Sequence, residues 1–84
     1  MDKEMADIIF IVPSKNIYVE LEVPLYISAN EFVLAMNEAY HLGINVNDTK
    51  RLFFKAEYPI ALIKGNKKLA DFGVRNATRI YYTE

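Results

Sequence analysis

The chain has 84 residues, enough for one domain and too few for two. Hydrophobic residues make up 52% and charged residues 25%, which excludes a disordered or fibrous polymer, and the absence of cysteine excludes disulfides, thiolate metal sites, iron–sulfur clusters and a cysteine nucleophile. The net charge of −1 hides a segregation: residues 1–48 carry two basic and eight acidic side chains, or −6, and residues 49–84 carry eight basic and three acidic, or +5.

Residues 7–12, Asp-Ile-Ile-Phe-Ile-Val, form a short β-branched apolar run that Pro13 ends, and its length favours a strand. Ser14-Lys15-Asn16 supplies turn chemistry. Ile17, Val19, Leu21 and Val23 then alternate with Tyr18, Glu20 and Glu22, which predicts the second, half-solvated strand of a hairpin. Ser28 and Glu31 have the spacing of a capping box, and Ile27 and Phe32 that of a hydrophobic staple. The expected helix spans residues 29–41, with Phe32, Ala35, Met36, Ala39 and Tyr40 as its apolar stripe and Gly43 as its left-handed stop. Arg51–Lys55 predicts a third strand, Ile60–Ile63 a short edge strand, Leu69–Val74 a tight helical turn and Arg79–Thr83 a closing strand. The expected order is β-β-α-β-β-β, a single two-layer α+β domain over residues 1–84. Whether residues 1–6 are disordered or lie along the sheet edge stays open.

The stretch Gly43-Ile44, Lys50–Phe54, Leu69–Val74 and Ile80–Tyr82 resembles the second half of ubiquitin, and the strand Tyr18–Val23 with the Ser28-capped helix is similar to its first half. The resemblance covers residues 7–83 and implies a β-grasp fold, one main helix packed on a mixed sheet of four to five strands. Within that fold the chain looks most like the YukD-like (EsaB-like) family of bacterial type VII secretion accessory proteins. It is a lone domain, its connection between Ala56 and Leu69 is longer than ubiquitin's, and it ends at Tyr81-Tyr82-Thr83-Glu84 with no Gly-Gly tail. That family likeness implies a cytoplasmic accessory protein acting with a membrane-bound secretion machine. Ubiquitin-type modifiers and sulfur carriers react through a flexible terminal glycine, so the Glu84 terminus makes this alternative the less expected one.

The chain offers little chemistry for catalysis. His41, the single histidine, has no neighbouring ligand or base, and the helix end accounts for it. Glu20 and Glu22 read as a solvated strand face, Ser28 as a cap, and three glycines make no phosphate loop. A non-enzymatic protein with no cofactor, no metal and no small-molecule substrate is expected. What remains is a binding surface. If Ile9 and Ile11 face the helix, Phe10 faces outward; Leu52 and Phe54 inward put Phe53 outward, and Ile80 and Tyr82 inward put Arg79 and Tyr81 outward. In the β-grasp strand order these strands are neighbours, so Phe10, Phe53 and Tyr81 would line the open sheet face with Arg51, Lys55 and Arg79 at the rim, a composition typical of protein-binding hot spots. The partner expected is another protein, with self-association through the same face as an alternative. No run of about 20 apolar residues is present to enter a membrane. A second reading, from another class, is a single-stranded nucleic-acid module using Lys64, Lys67, Lys68, Arg75 and Arg79 beside Phe53 and Tyr81, which the acidic first half opposes.

Overall fold

The structure, a computed structural model, describes residues 4–83. Its strands are β1 (Met5–Val12), β2 (Ile17–Pro24), β3 (Phe54–Glu57), β4 (Ala61–Ile63) and β5 (Arg79–Tyr81), with one helix, α1 (Ala29–Tyr40), and short 3-10 turns at Pro13–Lys15, Thr49–Arg51 and Leu69–Phe72. Met5 and Ala6 belong to β1; residues 1–3, on which the expectation for the leading segment partly falls, and the terminal Glu84 lie outside the described residues.

The β1–β2 hairpin fixes the orientation of the sheet. Pro13 starts a single 3-10 turn and Asn16 closes it in the left-handed region (φ 60°), a conformation that asparagine tolerates. The four-residue connection sets Val12 opposite Ile17, Phe10 opposite Val19 and Ile8 opposite Leu21. Directly paired residues share a face, so the alternation of β2 dictates that of β1. Ile8, Phe10 and Val12 therefore point under the helix, and all three are fully buried. This corrects the expectation for Phe10: it is the centre of the core, with its ring 5.3 Å from Phe54, 5.5 Å from Tyr40 and 6.5 Å from Phe32. The outward residues of β1 are Met5, Asp7, Ile9 and Ile11, the alternate set.

The sheet order is β2-β1-β5-β3-β4, with β5 parallel to β1 and all other pairs antiparallel. The last strand in sequence thus sits in the middle, and Ile80 on it is fully buried. The helix starts as its sequence dictates. Glu31 N–H donates to Ser28 Oγ (3.1 Å), and Ser28 N–H donates to Glu31 Oε1 (3.0 Å). Two expectations at the helix need correction. Its buried face runs through Ala29, Phe32, Val33, Met36 and Tyr40, whereas Ala35 and Ala39 are exposed. The left-handed stop is His41 (φ 53°), whose N–H donates to Asn37 O, and Gly43 (φ 75°) bends the chain two residues later.

The third strand also starts later than its apolar run suggests. Lys50 N–H donates to Asp48 Oδ1 and Arg51 N–H to Asp48 O, so Asp48 winds residues 49–51 into a turn before β3 begins at Phe54. Alternation survives the shift: Leu52 and Phe54 are buried, Phe53 is half-buried and Lys55 is exposed.

Candidate functional site

The helix covers one face of the sheet, and the other face carries the features a partner could read. Register places Tyr18, Ile11, Tyr81, Lys55 and Leu62 in one straight row across all five strands. At about 4.8 Å per strand the row spans about 19 Å. Tyr18 is 68% exposed and Leu62 42%, and Ile60, just before β4, is 91% exposed. Ile11 lies at the base of the row, shielded by its neighbours. The next row contains Glu20, Ile9, Arg79 and Glu57.

Two shallow hollows flank Lys55. One, of about 370 Å³, is lined by Arg51, Phe53, Lys55, Tyr81, Tyr82 and Thr83. The other, of about 640 Å³, is lined by Ile60, Ala61, Leu62 and Tyr81 together with Lys55, Ala56, Glu57 and Thr83. The Tyr81 hydroxyl donates to Glu57 Oε1 at 2.8 Å, and Arg79 Nη1 stands 4.0 Å from the same oxygen. That hydrogen bond holds the phenol proton and raises the Tyr81 pKa above the ordinary tyrosine value; desolvation and the negative charge of Glu57 push the same way, and Arg79 opposes them. Lys55 has no acidic partner among the described residues, and the exposed Arg51 has only the half-buried Asp48, at 3.6 Å.

Of the residues singled out in the sequence, Arg51, Phe53, Lys55, Arg79 and Tyr81 are brought together on this face, and Phe10 is not. Sequence reasoning did not place Tyr18, Ile11, Ile60 and Leu62 there. The signal for the first two was available, because Tyr18 alternates with inward residues and the hairpin pairs it with Ile11. Of the basic residues of the nucleic-acid reading, Arg79 is on the open face, and Lys67, Lys68 and Arg75 are placed elsewhere. Lys67 and Lys68 lie at the start of α1, where Lys67 O accepts from Ala29 N–H and Lys67 Nζ stands 5.0 Å from the Phe72 ring, and Arg75 stacks on Tyr58 at 4.5 Å. Among the described residues no group of three or more His, Cys, Asp or Glu side chains is arranged to hold a metal, and no helix is long and apolar enough to cross a membrane.

No protein-family model matches the chain, and no curated protein does. Solved structures do. A ubiquitin-like domain from tubulin-binding cofactor B superposes with a TM-score of 0.77 at 20% identity, covering 99% of this chain and 92% of that one. The C-terminal ubiquitin-like domain of mouse tubulin-specific chaperone e gives 0.75 at 9% identity, covering 99% and 89%. The UBL domain of Plasmodium falciparum Dsk2 gives 0.59 at 15% identity, covering 93% and 97%. With one helix on a mixed five-stranded sheet, the fold is the ubiquitin-like β-grasp.

Proposed function

We propose that the chain is a single, non-enzymatic ubiquitin-like interaction domain that docks protein partners through its open sheet face. The observation that carries this reading is the row Tyr18, Ile11, Tyr81, Lys55 and Leu62, bordered by Ile60 and Phe53: exposed or half-exposed apolar and aromatic side chains around the shielded Ile11, with the cation Lys55 among them. Contiguous exposed apolar surface rimmed by polar groups marks interaction sites, and aromatic residues beside arginine supply their binding energy. In this reading Phe53, Tyr81 and Leu62 provide the buried contact, and Arg51, Lys55 and Arg79 steer an approaching acidic surface.

The resemblance to YukD-like proteins supplies the finer reading: a cytoplasmic accessory component of a bacterial type VII secretion system, whose partner is a membrane-bound part of that machine. Fold likeness supports an interaction domain in general and leaves the partner to experiment. The test places a photo-crosslinking residue at Leu62 and, as control, at Ala39 on the exposed side of α1, in the native cell. Adducts from position 62 to a secretion-machine component, lost when Phe53→Asp is added, are the expected result. Adducts arising from position 39 alone, or untouched by Phe53→Asp, overturn the assignment of the face. Adducts to proteins unrelated to secretion overturn the finer reading.

A further inference from the structure

The open face is not uniformly charged. Asp7, Glu20 and Glu22 project from it at the corner formed by the start of β1 and the end of β2, where Asp7 pairs with Glu22 and Ile9 with Glu20. All three are exposed, and none has a basic partner among the described residues. Arg51 and Lys55 stand at the diagonally opposite corner, along the start of β3. Between the corners lie Ile11 and Tyr81, with Arg79 and Glu57, 4.0 Å apart and of opposite charge, beside them. The two corners lie three strands, or about 14 Å, apart across the sheet and further apart along its diagonal.

Such a face is complementary to itself. A two-fold axis lying between two copies, across that diagonal and near Tyr81, sets each acidic corner over the partner's basic corner, and it brings the apolar middles together. The two sheets then cross steeply, one of the two ways in which sheets pack face to face. We propose that a second copy of this chain occupies the open face in this isologous arrangement. The proposal rests on the docking role assigned to the face above. It adds that the domain shields its own partner site, so self-pairing and partner capture exclude each other. A face about 19 Å wide belongs to the weak class of interfaces, those burying less than about 1,200 Å² in total, so the pair exchanges readily with monomer.

The test is sedimentation equilibrium on the full chain. The parent is expected to show a monomer–dimer equilibrium that weakens as ionic strength rises from about 0.01 M to about 1 M and the screening length falls from about 30 Å to about 3 Å. One variant carries Glu20→Lys and Glu22→Lys, and another Arg51→Glu and Lys55→Glu. Each alone places like charges together and is expected to weaken pairing at least about ten-fold. Their equimolar mixture is expected to recover it as a heterodimer, because both corner contacts are then again of opposite sign. All four positions are exposed, so the melting temperatures of the variants should match the parent's and exclude unfolding as the cause. A parent that stays monomeric up to about 1 mM, or a mixture that fails to pair, overturns self-docking. Either result leaves the partner reading to its own crosslinking test, where adducts from position 62 would still appear.

Discussion

Two phenylalanines show how one step of register decides a residue's role. Phe10 is fully buried among Phe32, Tyr40 and Phe54, whereas Phe53 lines a hollow on the opposite side of the sheet. Phe10→Ala is expected to cost about 3–5 kcal/mol, since the neighbouring rings cannot close the cavity. Phe53→Ala should cost only about 1 kcal/mol, in the range of a partly exposed site. Chemical denaturation of both variants checks this, and equal losses would contradict the placement. The burial of Phe10 was legible in the sequence, though not in its own segment. The run Ile8–Val12 has no polar alternation to mark a face, and only the alternation of β2, carried across a four-residue turn, orients it. The Tyr81–Glu57 bond was not legible at all, because it joins residues 24 apart through a strand pairing. Its effect is testable by pH. A pKa raised in the folded state means that folding favours the neutral phenol, so the contribution is complete below the ordinary tyrosine value and is lost as pH rises through the folded one. Glu57→Gln removes the charged acceptor. Tyrosinate absorbance, with Tyr81→Phe identifying the signal, should show the Tyr81 midpoint falling in that variant, and an unmoved midpoint would refute the cause.

Elements here are held to one another by a few side chains that imitate backbone. Asn37, on the flank of α1, accepts from Ile44 N–H at 2.9 Å and donates through Nδ2 to Ile44 O at 3.2 Å, closing the loop after the helix as a paired strand would. Asn30, two turns earlier on the same flank, does similar work at Gly65, whose N–H donates to Asn30 Oδ1 at 3.2 Å. Ile44 is buried, so Asn37→Ala leaves a donor and an acceptor short of partners and should cost about 1–3 kcal/mol. Asn37→Asp keeps the acceptor and should cost less. Amide exchange at Ile44 reads this directly: protection should fall steeply in the Ala variant and partly in the Asp variant, and unchanged exchange would show that the loop is held by packing alone. The helix itself was readable because its cap is local, Ser28 and Glu31 lying three residues apart. The start of β3 was not, because Asp48 competes for the backbone just ahead of an apolar run that otherwise reads as strand. The apolar stripe departs from the expected one for a related reason. Ala35 and Ala39 satisfy helical spacing but have too little surface to claim the core against Val33, and hydrophobic spacing alone does not weigh side-chain size.

At the scale of the molecule, chain order and spatial order differ, and the site depends on that difference. Strand β5, only three residues long, separates β1 from the β3–β4 hairpin and bonds to both. It carries Arg79 and Tyr81 outward and Ile80 inward, so the same three residues complete both the core and the middle of the open face. Thr78, fully buried, locks its entry: Thr78 Oγ1 donates to Tyr58 O at 2.7 Å and accepts from Arg75 N–H at 3.0 Å. A chain ended before Thr78 therefore does not merely lose an edge. The two parts of the sheet are left with unpaired strand edges facing each other across about 10 Å, twice the strand spacing, too far for backbone hydrogen bonds and with no Ile80 to fill the gap. Marginal stability gives no reserve for such a loss. Chain 1–77 should show no cooperative thermal transition and dispersed amide signals only where local turns persist. Ile80→Asp, which leaves the length unchanged and buries an unpaired carboxylate at the same place, should fail in the same way. A cooperative melt retained by both would mean that β1, β2 and α1 fold without the central strand, and the open face would then have to be built from the hairpin alone.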